Sequence, residues 1–205
     1  MFNIMLDHLP TDWKGYPISA SFRTGIKMSM CMSDPDLSDM ERFYIASYLL
    51  FPKGCPEPQE AAKAIEWFMT EFNHDNYQQK KNENIIMDWD MDQWRIYAAF
   101  RNQYHIDLNK AKMHWFVFMG LLGNLQESSL THVMDIRQKK ITSKMSQEEK
   151  NAYRSAKKIF AIKAPKDEKI TPEEQARIDE FMKYAKINKL TESQLIPYRC
   201  QQALF

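Results

Sequence analysis

Glycine and cysteine are scarce in this chain of 205 residues, which contains only 5 glycines and 3 cysteines. The cysteines, Cys31, Cys55 and Cys200, are odd in number and far apart in the sequence. This spacing argues against a disulfide framework and favours a reducing compartment. The low glycine content, together with many methionine, lysine, glutamate and glutamine residues, favours α-helix.

Long apolar runs are also missing. The most apolar window, WFVFMGLLG at 115–123, has 9 residues, whereas a membrane-spanning helix needs about 20. The N-terminus, MFNIMLDHLP, has neither the basic start nor the apolar stretch of a signal peptide. The net charge is +1, so no overall field directs the chain to nucleic acid or to a membrane. We therefore expect a cytoplasmic protein without a membrane segment.

Sequence motifs of enzymes are absent. The chain contains no P-loop, GxGxxG, GxSxG or HExxH motif. Glu71 and His74 have the Glu-x-x-His spacing of a di-iron bundle, but the second copy that such a site needs is missing. His114, beside the apolar window, fits a core or edge histidine with a satisfied hydrogen bond. We expect no catalytic residues, no metal and no cofactor.

Three acidic residues stand close together at Asp88, Asp90 and Asp92. Helix capping explains acidic residues at such positions, and we assign Asp90 as the cap of the helix that follows. A general acid–base pair among them stays open.

Helical periodicity accounts for most of the sequence and predicts a mainly α fold, an irregular multi-helix bundle. Gly15 predicts a possible small N-terminal hairpin. Ser21 is a predicted N-cap, and the pairs Ser38/Glu41 and Ser146/Glu149 predict capping boxes. The predicted helices span about 21–33, 38–51, 59–72, 90–104, 109–123, 128–136 and 146–161. A helical domain at 1–163 is followed by a C-terminal helical extension at 164–205, with a helix at about 171–187, while 73–84 is predicted as a loop.

Two predicted helices have informative apolar faces. The helix after Ser38 has a broad one, made of Met40, Phe43, Tyr44, Leu50 and Phe51. The helix after Asp90 has two sides: one carries Trp94, Tyr97, Ala98 and Arg101, and the other carries Ile96, Phe100 and Tyr104.

The apolar window forms two stripes when it is wound as a helix. Trp115, Phe118, Met119 and Leu122 make one, and the other includes Gly120 and Gly123, where a second backbone could come close. A helix that is apolar on both sides is buried on both sides. It is either a central core helix or a helix with one stripe facing a partner chain.

Although the net charge of the whole chain is close to zero, two of its segments carry large net charges of opposite sign. From Asp34 to Asp92 there are thirteen acidic residues and five basic ones, a net of −8. From Arg137 to Lys169 there are eleven basic residues and four acidic ones, a net of +7. Three explanations stay open: solvated helix faces, association of the two segments within or between chains, and nucleic-acid binding. The candidate phosphate contacts are Lys150, Arg154, Lys157 and Lys158.

Several segments, taken in order, resemble the bacteriophage Gp15 family of long-tailed phages and prophages. These segments are DPDLSDMERFYIASYLLF, MDWDMDQWRIYAAFRNQYHIDL, MHWFVFMGLLGNL and AYRSAKKIFAI. The resemblance covers about 10–163, so the extension at 164–205 departs from it. Positions that match the family pattern in register are Asp92, Ile96, Tyr97, Phe100, Tyr104, Ile106, Asp107, Leu108, Gly120, Leu121, Tyr153, Lys157 and Lys158.

The resemblance implies a role in tail morphogenesis. Genes of this family usually lie between those of the major tail protein and the tape measure protein, where tail assembly chaperones are encoded. It therefore implies a non-enzymatic chaperone in the cytoplasm of the bacterial host. This chaperone would bind the tape measure protein, possibly the major tail protein, and copies of itself. The residues we assign to the partner face are Trp89, Trp94, Trp115, Phe118, Met119 and Leu122. The alternative is a nucleic-acid-binding or host-modulating phage protein that acts through the basic helix at 146–161.

Overall fold

The protein is mainly α-helical, as predicted, in a computed structural model that describes residues 3–71 and 86–162. The described part contains one hairpin and seven helices. The predicted loop at 73–84 and the predicted extension at 164–205 lie outside the described residues. The elements are β1 (Asp12–Trp13), β2 (Tyr16–Pro17), α1 (Phe22–Ser33), α2 (Asp39–Leu50), α3 (Pro58–Thr70), α4 (Gln93–Tyr104), α5 (Trp115–Gly123), α6 (Ser129–Gln138) and α7 (Gln147–Ile159).

The N-terminal hairpin is confirmed. β1 and β2 pair antiparallel around a turn in which Lys14 and Gly15 have φ of 51° and 88°. Two positive φ values in a two-residue loop fit the type I′ turn, whose twist matches that of paired strands. The hairpin is fixed to α3 by an ion pair between Lys14 Nζ and Glu60 Oε2 at 2.6 Å. Beside it, the rings of Trp13 and Trp67 lie 5.0 Å apart.

The helix caps predicted at Ser21, Ser38 and Ser146 are confirmed. Ser21 accepts a hydrogen bond from the backbone at Arg23, and α1 begins directly after it. Ser38 and Glu41 form a complete capping box at the start of α2, and α7 begins with the box of Ser146 and Glu149. These short polar patterns are reliable because they satisfy backbone donors that no other group of the helix can reach.

The start of α4 differs from the prediction. The helix begins at Gln93, with Asp92 and not Asp90 at its N-cap position. The carboxylate of Asp88 accepts hydrogen bonds from the backbone N–H groups of Asp90 (3.0 Å) and Met91 (2.7 Å). These bonds hold residues 88–91 in a turn, so the helix begins only after this turn.

The helix that contains the apolar window is shorter than predicted, because α5 begins at Trp115 and not near 109. The backbone just before it pairs with the segment that precedes α1. Phe22 N donates to Met113 O at 3.0 Å, and Trp115 N donates to Ala20 O at 2.8 Å. These long-range bonds hold 113–114 in an extended form that local helical periodicity cannot show.

Aromatic rings of α5 form the centre of the core. Phe118 is stacked between Phe22 of α1 (ring centroids 4.9 Å apart) and Phe100 of α4 (5.0 Å). Trp115 is stacked on Phe68 of α3 at 6.4 Å. α5 thus joins α1, α3 and α4 through one chain of rings, and each such pair contributes about 0.5–1.5 kcal/mol beyond its buried area.

Candidate interaction surfaces

The six residues assigned to a partner face do not lie on one surface. Trp115 and Phe118 are buried, with 1% and 0% of their surface exposed. Trp89, Met119 and Leu122 are partly buried and pack against the same core cluster. Among the two interpretations of the apolar window, burial therefore supports the central core helix. As a correction, Trp115 and Phe118 belong to the core, and of the six only Trp94 is strongly exposed.

The two glycines of α5 do not mark a close helix contact. Within the described part of the chain, a Cβ added at Gly120 or Gly123 would meet nothing within 4 Å, so no second backbone of these residues approaches there. The close approach is instead at Gly25 of α1, where an added Cβ would lie 2.1 Å from the Trp115 ring. In the sequence, this contact is marked only by a single glycine inside a predicted helix. That signal is too general to identify Trp115 as the residue that Gly25 contacts.

One side of α4 is an exposed apolar surface, formed by the residues predicted to share a side. Trp94 is 75% exposed and Met91 is 42% exposed. The Tyr97 ring meets that of Trp94 edge-on at 6.2 Å, and Ala98 and Arg101 are exposed beside them. The opposite side is buried, with Ile96 4% and Phe100 0% exposed. We call Met91, Trp94, Tyr97, Ala98 and Arg101 the α4 surface.

α2 carries a second exposed apolar row. Of the predicted broad apolar face, Leu50 and Phe51 are buried and Phe43 is half-buried. Met40 and Tyr44 of the same face are 62% and 52% exposed, and Tyr48 is 78% exposed. Residues four apart lie on the same side of a helix, so these three form one row. We call Met40, Tyr44 and Tyr48 the α2 stripe.

The four candidate phosphate contacts on α7 differ in whether the protein itself already engages them. Lys150 donates to Ser143 O at 3.2 Å, and Lys157 donates to Arg137 O at 2.8 Å. Both therefore satisfy carbonyl groups of the protein itself. Arg154 and Lys158, one turn apart, are exposed. The basic face of α7 that is open to a ligand thus has two of the four predicted cations.

A buried ion pair connects the acidic and basic segments of the chain. The carboxylate of Asp92, which is fully buried, accepts hydrogen bonds from both terminal nitrogens of Arg137. It also accepts from Arg95 Nη1 at 2.9 Å and from the backbone N–H of Asp88 at 3.0 Å. Burial raises the pKa of Asp92, but hydrogen bonds from Arg137 and the Asp88 backbone, together with the charges of Arg137 and Arg95, outweigh it, so this pKa lies below its ordinary value.

Arg137 also binds backbone groups from two other segments. Its Nη1 donates to Ile86 O at 3.0 Å, and its Nε donates to Phe160 O at 2.7 Å. The end of α6 is therefore tied to the start of α4 and to the end of α7. Asp88 binds the backbone of the turn before α4, and Asp92, at the N-cap position, makes no side-chain cap hydrogen bond. Nothing in the sequence pairs Asp92 with a residue 45 positions away.

His114 has the predicted role of a histidine with satisfied hydrogen bonds. Its Nε2 donates to Pro10 O at 2.9 Å, and its Nδ1 accepts from the backbone N–H of Phe116 at 3.1 Å, which caps α5. Both bonds together require the neutral ring with the proton on Nε2. Burial lowers the pKa of His114, and the bond to Pro10 offsets this only in part.

Among the described residues, no group of three or more His, Cys, Asp or Glu side chains is arranged to hold a metal ion. His74 of the Glu71/His74 pair lies outside that part of the chain. None of the described helices has the length and apolar character needed to span a bilayer.

The model of a protein family described as "Bacteriophage Gp15 protein" matches residues 5–162 of the chain. No curated protein and no solved structure matches the chain. The matched residues include every helix described above.

Proposed function

The chain belongs to the bacteriophage Gp15 family, and on that premise we propose that it is a tail assembly chaperone that binds the tape measure protein. The proposal places it in the cytoplasm of the bacterial host during tail morphogenesis, with the major tail protein as a possible second partner. It acts by binding and not by catalysis.

The α4 surface carries this proposal. Trp94 is a large ring with 75% of its surface in solvent, and it has Met91 and Tyr97 as neighbours. Monomeric proteins seldom leave such groups together in solvent unless a partner covers them. Tryptophan, tyrosine and arginine are also the residues that most often dominate binding energy at protein interfaces.

The shape and chemistry of this surface fit an amphipathic helix. An apolar row on one helix, bordered by Arg101, can pack against the apolar face of a partner helix, and methionine adapts to irregular partners. A tape measure protein of long helices would present such faces repeatedly. The buried side of α4 keeps the surface rigid, because Ile96 and Phe100 fix the helix on the core.

Co-expression with the neighbouring tape measure protein, followed by size-exclusion chromatography with light scattering, tests the proposal. We expect a soluble, co-eluting complex with the unchanged chain. The variant Trp94→Ala should lose at least about 2 kcal/mol of binding energy, as expected for an interface hot spot. Its thermal stability should not change, because the ring is exposed.

A matched control tests whether removing any exposed apolar side chain weakens binding, or only removing one on the α4 surface. Leu6 is 83% exposed and lies far from α4 in the sequence, so Leu6→Ala should leave the complex intact. Insoluble tape measure protein beside a soluble, lone chain would contradict the proposal. Equal binding by Trp94→Ala and the unchanged chain would show that the α4 surface is not the binding site.

A further inference from the structure

The α2 stripe has a charge gradient along its length. Asp36 and Asp39 stand at its N-terminal end, and both are exposed, with the Asp39 side chain fully so. At the other end, Tyr48 shares a surface cavity with Lys27 and Arg23 of α1. The row of Met40, Tyr44 and Tyr48 therefore runs from an acidic end to a basic end.

α7 has the opposite gradient. Its first turn carries Glu148 and Glu149, and Arg154 and Lys158 follow toward its C-terminal end. Ile159, beside Lys158, is 73% exposed. None of the residues of α7 is buried, and the side that packs on α6 carries Tyr153 and Lys157. Arg154, Lys158 and Ile159 are all exposed.

The two helices match in length and, when antiparallel, in charge. α2 has 12 residues and α7 has 13, which corresponds to about 18–20 Å each at 1.5 Å per residue. In an antiparallel arrangement the C-terminal end of α7, with Arg154 and Lys158, would lie opposite the end of α2 with Asp36 and Asp39, and Glu148 would lie at the end near Lys27. A parallel arrangement would instead place charges of the same sign opposite each other, at an energetic cost.

We propose that the α2 stripe is the docking site for α7 of a second copy of this chain. Ile159 would pack on the apolar row, and the two charge gradients would fix the antiparallel direction. Because each copy offers one α2 stripe and one α7, the contact is head-to-tail and leads to a ring or a filament. This self-association goes beyond the proposed function, since it uses neither the α4 surface nor the tape measure protein.

A complementation experiment with the full chain tests this arrangement. The variant Tyr44→Glu damages the α2 stripe, and the double variant Arg154→Glu, Lys158→Glu damages α7. Light scattering over a concentration series should show oligomers for the unchanged chain and monomers for each variant alone. We expect a rise of about thirtyfold or more in the dissociation constant, the equivalent of about 2 kcal/mol at an interface hot spot. Mixing the two variants should give a 1:1 dimer that grows no further, because one undamaged α2 stripe meets one undamaged α7.

The controls distinguish this contact from tape measure binding and from misfolding. Trp94→Ala should self-associate normally, and Tyr48→Glu, at a more exposed position, repeats the test if Tyr44→Glu proves unstable. A monomeric unchanged chain at all concentrations would overturn the proposal, and so would variants that remain oligomeric or a mixture that remains monomeric. Loss of tape measure binding by Tyr44→Glu with oligomers unchanged would assign the stripe to that partner and would equally overturn it.

Discussion

Gly25 of α1 lies directly against the indole ring of Trp115 of α5. A Cβ at position 25 would be 2.1 Å from Trp115 Cδ2 and 2.2 Å from its Cε3, well inside van der Waals contact. Both residues are buried. The ring thus occupies space that is available only because residue 25 has no side chain, and this contact sets how closely α1 and α5 approach.

Replacing Gly25 with alanine should destabilise the protein. Forcing an extra carbon into a packed core typically costs about 1–3 kcal/mol, and here the clash is with a rigid ring. Urea denaturation would measure the loss in the free energy of unfolding. Gly120→Ala in α5 is the matched control, because its Cβ would meet nothing within 4 Å. In a helix interior that change should be neutral or stabilise by up to about 1 kcal/mol. Equal effects of the two substitutions would contradict the assigned contact.

Removing Arg137 should destabilise the protein strongly. Arg137→Ala leaves the fully buried carboxylate of Asp92 with only Arg95 and one backbone donor, and breaking a buried ion pair typically costs about 3–5 kcal/mol. Arg95→Ala is the control, since this side chain is 32% exposed and makes only one bond to Asp92, and it should cost clearly less. A double-mutant cycle with Asp92→Asn should give a coupling energy of at least about 1 kcal/mol. Additive effects would show that the pair is not coupled.

Features that depend on neighbouring residues could be predicted from the sequence. The hairpin turn, the cap at Ser21 and the capping boxes at Ser38 and Ser146 are local patterns, and each is confirmed. The mainly α fold follows from such patterns together with helical periodicity. The structure differs from the sequence-based prediction where distant segments interact. The start of α5 is set by hydrogen bonds to the segment before α1, and helical periodicity cannot show these bonds.

In the candidate sites too, local features could be predicted from the sequence, whereas features that depend on distant segments could not. Apolar periodicity identified both sides of α4, but it could not decide which side the core covers. For the same reason the sequence predicts Phe118 on a partner face, and the apolar face predicted for α2 does not separate exposed Met40 from buried Leu50. Burial depends on which helices pack together, and this information is not contained in the pattern of a single helix. The pairing of Asp92 with Arg137 likewise needs the tertiary fold.

The basic helix should bind nucleic acid weakly at most. With Lys150 and Lys157 engaged by backbone carbonyls, Arg154 and Lys158 are the two exposed cations of the predicted four. Two phosphate contacts would give a slope of about −1.8 in a plot of log K against log salt concentration. Fluorescence anisotropy with labelled duplex DNA would measure it, and the double variant Arg154→Glu, Lys158→Glu should abolish any binding. A slope of about −4 would show that all four cations contact phosphates, and would favour the alternative nucleic-acid function.

The stability of the protein should fall on mild acidification because of His114. Its pKa is lower in the folded protein than the ordinary histidine value of about 6.5, so near pH 7.5 the ring is neutral in both the folded and unfolded states. As the pH falls through 6.5, the unfolded chain binds a proton that the folded chain does not, at a cost of up to about 1.4 kcal/mol per pH unit. The loss continues until the pH reaches the lowered value. A protonated ring could no longer accept the hydrogen bond from Phe116 N, so the cap of α5 would also be lost.

Urea denaturation at pH 7.5 and pH 5.5 would measure this difference. In His114→Asn, a residue that still caps helices well, the free energy of unfolding should be lower at pH 7.5 but should depend less on pH. The same pH dependence in both proteins would show that other groups, and not His114, cause the loss.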